Sequence, residues 1–236
     1  MAQLPRVAVL GGGRTADVTV SALVDSGLHA RLFVGDRIHP VGIHPDALHP
    51  DAAGRRPFDI QDNERQVTQW DVVVLTDDLD DLVLGSPAIS SSLFGGVFDP
   101  ETEGVYRCGR LPGPGPRAAP RPGAAPTGPL AVADAVRLAD AQSRWIGEYL
   151  RGRYLLPPRS AMLAAAGLTA TRRTATGSAS WPRPRSEAPH ARWLRAPGQT
   201  AVRGYLRWLG AELRRGRARA AEGGYPLPVP SLIAAS

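Results

Sequence analysis

Residues 4–36 read LPRVAVLGGGRTADVTVSALVDSGLHARLFVGD, and this stretch decides the fold of the chain. The pattern predicts an apolar strand at residues 6–10, then a glycine turn, a segment of helical periodicity and a second strand at residues 30–34. Glycine suits a strand-to-helix turn because a Cβ atom would block the tight bend. This order of elements predicts an α/β fold, a Rossmann-like parallel sheet with appended C-terminal helices.

The glycine turn has the spacing of a dinucleotide fingerprint, Gly11-x-Gly13-x-x-Ala16, with alanine in the third place. The helix that begins there would direct its free N–H groups and the positive end of its dipole at a phosphate. We therefore predict dinucleotide binding at this turn. The residues expected around the diphosphate are Gly11, Gly12, Gly13, Arg14, Thr15 and Ala16.

The helix after the turn is expected to bury one face against the sheet. Gly27 is placed to end this helix, because glycine readily adopts the left-handed conformation that helix C-termini use. The apolar residues at helical spacing on the predicted buried face are Ala16, Val20, Leu23 and Val24.

An acidic residue, Asp36, follows about 20 residues after the fingerprint, at the end of the second predicted strand. A carboxylate there suits the ribose 2′-hydroxyl of NAD or FAD, whereas the adjacent Arg37 suits the 2′-phosphate of NADP. The sequence leaves this choice open. It also leaves open the alternative that the glycines only form the turn of a βαβ unit that binds no ligand.

Composition excludes several classes of protein. The single cysteine, Cys108, excludes an internal disulfide and a CxxC metal or redox site, and we expect it to be a bystander rather than a nucleophile. No apolar run reaches the 18 residues of a membrane span, and the N-terminal region lacks the pattern of a signal peptide. These observations predict a cytoplasmic protein without a transmembrane segment.

Charge is distributed unevenly along the chain. Residues 1–100 contain 7 arginines and 14 acidic residues, a net charge of −7, whereas residues 101–236 contain 21 arginines and 8 acidic residues, a net charge of +13. A basic half can attract nucleic acid or anionic lipid, hold an anionic cofactor, or form a solvated surface. We favour the solvated surface. Nucleic acid is an unlikely partner on this reasoning, since interleaved aromatic residues are few and no RNA-binding motif is present.

Three histidines, His39, His44 and His49, are each followed by proline and invite a zinc hypothesis. His-Pro pairs force an extended or turn-like backbone, and a step of five residues fits neither a helix face nor a strand face. We therefore predict no metal site there, and interpret the segment as a proline-stiffened surface loop.

The middle of the chain is predicted to complete the sheet. Residues 57–60 and 66–69 are expected to form a hairpin, and residues 72–75 form an apolar run typical of a central parallel strand. The end of that strand should lie beside the glycine turn. The carboxylates within residues 77–81 could serve a metal or a general base, but we favour helix capping because they would repel a diphosphate.

Two shifts in composition suggest the domain organisation. Residues 1–110 are predicted to form the Rossmann-like dinucleotide-binding domain, and the Pro-, Gly- and Ala-rich residues 111–129 a linker or loop. Residues 130–236 are predicted to be helical, with a poorly ordered segment at 169–198. Helices are expected from residue 130, at 160–166 and at 200–221. Their predicted buried residues are Val132, Ala135, Val136, Ala139, Ser143, Trp145, Ile146, Tyr149 and Leu150, followed by Val202, Tyr205, Leu206, Leu209 and Leu213.

Several motifs together resemble the NADP-binding and C-terminal half of flavin-containing monooxygenases of the dimethylaniline monooxygenase type. Residues 140–145, DAQSRW, followed by Gly152-Arg153 and Leu156-Pro157, are similar to that family's E-x-Q-A-R-W helix and its G-[KR]-x-x-L-P segment. Residues 93–106 are similar to the segment that ends in F-H-P-[DE]-x-P-G-L. The opening VLGGGRTAD is similar to the NADP-binding turn V-G-G-G-N-S-A, with Arg14 and Thr15 in place of Asn and Ser.

The resemblance implies a flavoprotein oxidoreductase that uses NADP and FAD. In such enzymes NADPH reduces the flavin, which then uses oxygen to oxygenate a nitrogen, a sulfur or a ketone. It also implies a small-molecule substrate. Residues 5–160 carry most of the resemblance, and the closing helix carries it more faintly.

The chain also departs from this family pattern. It has one glycine turn where the family has two, and it lacks both the F-x-G-x-x-x-H-x-x-x-[YF] signature and the catalytic asparagine region of the FAD domain. Where the family has A-T-G, this chain has Leu75-Thr76-Asp77-Asp78. A second alignment makes the glycine turn an FAD turn and removes a large middle section. No catalytic residue carries over under either alignment.

The motifs shared with this family and the motifs that are missing suggest two functions. The first is a truncated monooxygenase-like oxidoreductase, in which a protein partner or a second copy replaces the missing half. The alternative is a non-redox descendant that acts as a binding or scaffold protein, or catalyses a non-oxidative biosynthetic step such as a cyclisation.

Overall fold

The computed structural model describes residues 4–34, 40–43, 58–61, 66–76, 93–99, 103–112, 130–165 and 199–223. Its strands are β1 (Arg6–Leu10), β2 (His29–Phe33), β3 (Pro40–Ile43), β4 (Phe58–Gln61), β5 (Val67–Trp70), β6 (Val72–Leu75) and β7 (Val105–Arg107). Its helices are α1 (Gly13–Asp25), α2 (Val132–Leu150), α3 (Arg159–Ala165) and α4 (Gln199–Gly223).

The first sheet is parallel throughout and has the strand order β2-β1-β6-β7. Its two central strands, β1 and β6, are almost completely buried on both faces, which explains their continuous apolar sequences. α1 connects β1 to its parallel neighbour β2. The sheet, its crossover helix and the later helices confirm the predicted α/β, Rossmann-like fold with C-terminal helices.

The two faces of this sheet are covered by different layers. Side chains alternate along β1, so that Val7 and Val9 join a core cluster with the helices, whereas Ala8 and Leu10 join a second cluster. The second cluster packs the sheet against the antiparallel sheet β3-β4-β5. The predicted hairpin at residues 57–60 and 66–69 is therefore confirmed, one residue further along the chain, as β4 and β5.

The helical side contains one continuous hydrophobic cluster. α2 packs along α1, and α4 packs on α2. An aromatic group lies at the centre, where the Trp145 ring is 4.8 Å from Phe98 and 5.7 Å from Phe94, measured between ring centroids. The C-terminal helices thus share a core with the sheet. The predicted limits at residues 110, 129 and 130 remain a prediction.

Two residues of the predicted helix faces are exposed. Val24 in α1 is 50% exposed and Val132 in α2 is 65% exposed. Each lies in an end turn of its helix, where the chain has already moved past its packing partner. Gly27 has φ +80°, and its N–H donates to the Val24 carbonyl, which confirms its predicted role at the end of α1.

Asp140 and Arg144, one turn apart in α2, form an ion pair at 3.0 Å. In the parts of the chain that the structure describes, no helix has both the length and the apolarity needed to cross a bilayer.

Candidate nucleotide site at the glycine turn

The carboxyl ends of the four parallel strands meet at one edge of the sheet, which is where α/β proteins place their ligands. β1 ends at Leu10 before the glycine turn, β2 ends at Phe33 before Val34, and β6 ends at Leu75 before Thr76. β7 leads into Cys108, whose N–H donates to the Leu75 carbonyl at 2.8 Å. As predicted from the sequence, the end of the apolar strand β6 lies against the glycine turn.

Gly11 is required by packing within the protein. It has φ +148°, a conformation that favours glycine, and a Cβ atom at this position would overlap the Thr76 hydroxyl. The Gly11 N–H donates to the Phe33 carbonyl at 3.1 Å, and Thr76 Oγ1 donates to the Leu10 carbonyl at 3.2 Å. The space beside Gly11 is therefore filled by Thr76, which sequence reasoning did not assign to the site.

Gly12 and Gly13 begin α1 and are more open than Gly11. Gly12 is the extended N-cap residue, and its nearest neighbour for an added Cβ would be Val34 Cγ1 at 3.9 Å, an ordinary contact. Gly13 has φ +64° and is exposed. A side chain would strain the backbone there, so glycine keeps the exposed main chain of the first turn accessible.

Among the residues that the structure describes, neither the N-cap nor the first turn of α1 supplies a negative charge to the positive end of the helix dipole. The N-cap, Gly12, makes no side-chain hydrogen bond, and the first turn contains no acidic residue. The exposed Arg14 adds a positive charge at this end, where a cation is unfavourable for the isolated helix. The main-chain N–H groups of the first turn have no partner within the helix. An anionic ligand would offset both unfavourable features.

Thr15 and Ala16 face inward. Ala16 is fully buried, as the third position of the fingerprint requires for close packing of the helix on the sheet, and Thr15 is 7% exposed. Thr19, one turn later, donates its hydroxyl to the Thr15 carbonyl at 2.9 Å. Of the six residues predicted around the diphosphate, only Arg14 therefore presents an exposed side chain.

Asp36 and Arg37 lie outside the described residues, and so do the three histidines and the carboxylates at 77–81. Their predicted roles remain predictions. Val34, the last described residue after β2, is 53% exposed. Within the described ranges, no group of three or more His, Cys, Asp or Glu side chains is arranged to hold a metal ion.

Cys108 is buried between α1 and α2, with its sulfur 3.4 Å from Ser143 Oγ. Burial raises the pKa of the thiol to about 12, against the lowering effect of hydrogen bonds to Ser143 and Thr19. The thiol therefore stays protonated near neutral pH. This agrees with its interpretation as a bystander, although it is more deeply buried than its sequence suggested.

Gln142 is a buried polar residue that the helix pattern did not single out. Its Oε1 accepts from the Gly109 N–H at 2.7 Å, and its Nε2 donates to the Arg110 carbonyl at 2.8 Å and to Tyr205 Oη at 2.9 Å. The Tyr205 hydroxyl in turn donates to the Gly95 carbonyl at 2.9 Å. These bonds join α2, α4, the loop after β7 and the turn at residues 94–98. The sequence did contain a signal for this role, namely a glutamine on the otherwise apolar face of α2.

The residues that carry the family resemblance most specifically are thus packing residues. Within the DAQSRW segment, Trp145 contacts Phe94 and Phe98 of residues 93–98, and Gln142 bonds to Gly109 in the loop after β7. A Cβ atom at Gly95 would lie 2.6 Å from the Trp145 ring, which explains that glycine as well. These contacts fix the position of α2 against the turn at residues 94–98 and the loop after β7.

The fold and this sheet edge together define a Rossmann-like α/β protein. No protein-family model matches the chain, and no curated protein matches it. Among solved structures, it is similar to S-allyl-L-cysteine S-oxygenase from Allium sativum, with a TM-score of 0.31 and 14% sequence identity. The alignment covers 92% of this chain and 48% of the S-oxygenase, so the chain spans about half the length of that enzyme. A likeness at this level assigns no residue of the site.

Proposed function

We propose that the chain binds a dinucleotide, NADP or FAD, through its diphosphate at the N-terminus of α1. The observation that carries this proposal is the start of that helix, where exposed Gly13 and Arg14 follow an N-cap without a side-chain hydrogen bond and the first turn contains no acidic residue. A diphosphate supplies negative charge and hydrogen-bond acceptors to this helix end.

The roles of the residues differ within this proposal. The backbone N–H groups of Gly13, Arg14 and Thr15 bind phosphate oxygens, and the Arg14 guanidinium adds a charge-assisted contact. Gly11 and Ala16 shape the turn and bring the helix close to the sheet. Asp36 or Arg37 contacts the ribose hydroxyl or the 2′-phosphate, according to which dinucleotide binds.

We further propose an oxidoreductase of the flavin-containing monooxygenase type, reduced in size. A bound nicotinamide or flavin supplies hydride-transfer and oxygen chemistry, while the chain supplies binding, orientation and exclusion of water. The support is the resemblance of the glycine turn and of residues 93–106 and 140–157. A protein partner or a second copy then supplies what the second glycine turn supplies in that family, and a small molecule is the substrate.

Thermal unfolding with added nucleotide tests the binding step. NADPH, NADH and FAD are added to separate samples of the protein. The nucleotide that binds is expected to raise the melting temperature, because a ligand at 100 times its Kd stabilises the folded protein by about 2.7 kcal/mol. Gly13→Ala should abolish this shift because the methyl group blocks close approach of the diphosphate.

Gly152→Ala is the matched control for that experiment. Gly152 has φ +68°, close to the +64° of Gly13, and lies after α2, so both variants strain the backbone similarly. The control should keep the nucleotide shift of the wild type. Equal shifts in both variants would place the nucleotide elsewhere. The absorbance spectrum of the freshly isolated protein tests the flavin separately, because bound flavin colours the protein yellow.

The non-redox alternative is favoured by the Thr76 hydroxyl beside Gly11, since this contact alone gives the turn a structural need for glycine. On that reading the chain is a binding or scaffold protein, or a catalyst of a non-oxidative biosynthetic step. Colourless protein without any shift in melting temperature on adding nucleotide is its expected result.

A further inference from the structure

One face of α4 carries a row of arginines, Arg203, Arg207, Arg214 and Arg217, which we call the arginine stripe. The spacings of four, seven and three residues place these side chains on the same side of a helix. At 1.5 Å per residue, the stripe is about 21 Å long. The opposite side of α4 is buried in the hydrophobic core through Val202, Tyr205 and Leu209.

The stripe is exposed to solvent. All four arginines are exposed, and among the residues that the structure describes only Arg217 has an ion-pair partner, Glu148 Oε2 at 3.0 Å. Within the described ranges, no hydrogen bond or ion pair joins Arg203, Arg207 or Arg214 to another residue. By contrast, Arg219 on the buried side is bound to Glu212 at 2.7 Å and to the Leu155 carbonyl.

Gly210 lies between Arg207 and Arg214 on this side of the helix, and the small residue Ala221 follows Arg217 one turn later. The carboxylate of Glu212, the acidic residue nearest in sequence, is turned into the core and is 5% exposed. A partner can therefore approach the helix closely at Gly210 and meets a row of four arginines, of which Arg217 is also paired with Glu148. Such a surface attracts a regular line of negative charges.

These features favour a phosphate backbone over other anionic partners. Stable protein interfaces depend on buried aromatic or aliphatic anchors, and the stripe offers none. Membrane-bound helices insert an apolar face, whereas the apolar face of α4 is buried in the protein. Single-stranded nucleic acid is bound largely by stacking on aromatic side chains, which the stripe lacks. Duplex phosphates require only correctly spaced cations, and arginine binds them with paired N–H groups.

We propose that the arginine stripe docks on the phosphate backbone of double-stranded DNA without reading its sequence. The absence of aromatic residues, which argued against nucleic acid in the sequence, concerns base stacking and does not affect contact with duplex phosphates. This proposal is independent of nucleotide binding at the glycine turn.

Fluorescence anisotropy with a labelled 30-base-pair DNA duplex tests the proposal on the full chain. For four phosphate contacts, the affinity of the wild type should fall about 150-fold between 50 and 200 mM salt. The triple variant Arg203→Gln, Arg207→Gln, Arg214→Gln leaves one contact, and its affinity should fall only about fourfold over the same range. Its binding at 50 mM salt should also be much weaker than that of the wild type.

The triple variant Arg137→Gln, Arg144→Gln, Arg153→Gln is the matched control, because it removes the same charge from exposed positions outside α4. It should keep most of the salt dependence of the wild type. Melting temperatures of both triple variants should match the wild type, which excludes unfolding as a cause.

Three results would overturn the proposal. The first is no binding of the wild type to the duplex at 50 mM salt. The second is an equal loss of affinity in the control variant. The third is that poly-glutamate, single-stranded DNA or phosphatidylserine vesicles bind more tightly than the duplex, because an acidic protein, a single strand or a membrane would then be the better partner.

Discussion

At the scale of single residues, the side-chain amide of Gln142 joins segments that lie far apart in the sequence. Gln142 satisfies three groups at once, the Gly109 N–H, the Arg110 carbonyl and the Tyr205 hydroxyl. A buried main-chain group that loses its hydrogen-bond partner destabilises the folded state by the full free energy of its desolvation. Gln142 therefore keeps the loop after β7 at the carboxyl edge of the sheet, next to the candidate nucleotide site.

Replacement of Gln142 by leucine should destabilise the protein by about 1–3 kcal/mol, because the Gly109 N–H remains buried without its hydrogen-bond partner. Urea unfolding measures this change. Gln69→Leu, at an exposed position of β5, is the control and should change the free energy of unfolding by no more than about 0.5 kcal/mol. Equal effects of the two substitutions would contradict the role given to Gln142.

At the scale of elements, α4 combines an exposed stripe with a tightly packed end. The Tyr154 ring lies against Gly216, and Tyr154 Oη donates to Glu212 Oε1 at 3.0 Å. The Leu155 N–H donates to the Gly216 carbonyl at 3.1 Å, and Arg219 binds both Glu212 and the Leu155 carbonyl. The segment after α2 is therefore fixed to the second half of α4.

Two glycine substitutions within α4 should have opposite effects. Gly216→Ala places a methyl group inside the Tyr154 ring and should destabilise the protein by about 1–3 kcal/mol. At Gly210 the nearest atom to an added Cβ is the Arg214 guanidinium at 3.9 Å, so alanine should stabilise the helix by up to about 1 kcal/mol. Thermal unfolding compares the two variants. A stabilising Gly216→Ala would show that α4 does not pack here as described.

At the scale of the whole molecule, a single sheet separates two cores of different construction. Helices cover one face and a three-stranded antiparallel sheet covers the other. Cys108 lies in the core on the helical side, where the chain passes between α1 and α2 after β7. Because the thiol of Cys108 is buried there, its ionisation is favoured only when that core opens.

Alkaline pH should destabilise the protein. The pKa of the Cys108 thiol rises from 9.0 to about 12 on folding because of burial, so the folded protein holds this proton more tightly than the unfolded chain. The stabilisation is complete below pH 9 and is lost as the pH rises towards 12. Unfolding in urea between pH 9 and 10 should show a loss of about 1.4 kcal/mol per pH unit at most.

Cys108→Ala should reduce that pH dependence between pH 9 and 10. Burial also raises the pKa values of Tyr154 and Tyr205, so the alanine variant should keep a weaker loss of stability that grows as the pH approaches 10, the ordinary pKa of tyrosine. An unchanged pH profile in the alanine variant would mean that the thiol does not carry this effect.

Most of the framework could be predicted from the sequence because its signals are local. The apolar runs of β1 and β6, the glycine turn and Gly27 each depend on a few adjacent residues. The exposed end residues Val24 and Val132 were predicted wrongly, because periodicity marks a face without showing where its packing partner ends. The inward direction of Gln142 depends on groups more than 30 residues away in sequence.

The sequence by itself determined the α/β class, the strand-turn-helix unit and the exposed main chain at Gly13, since backbone preferences act between neighbours. Only the tertiary structure decided that Thr76 occupies the space beside Gly11 and that α2 shares a core with the sheet. These outcomes follow from contacts between distant segments, which a linear pattern does not contain.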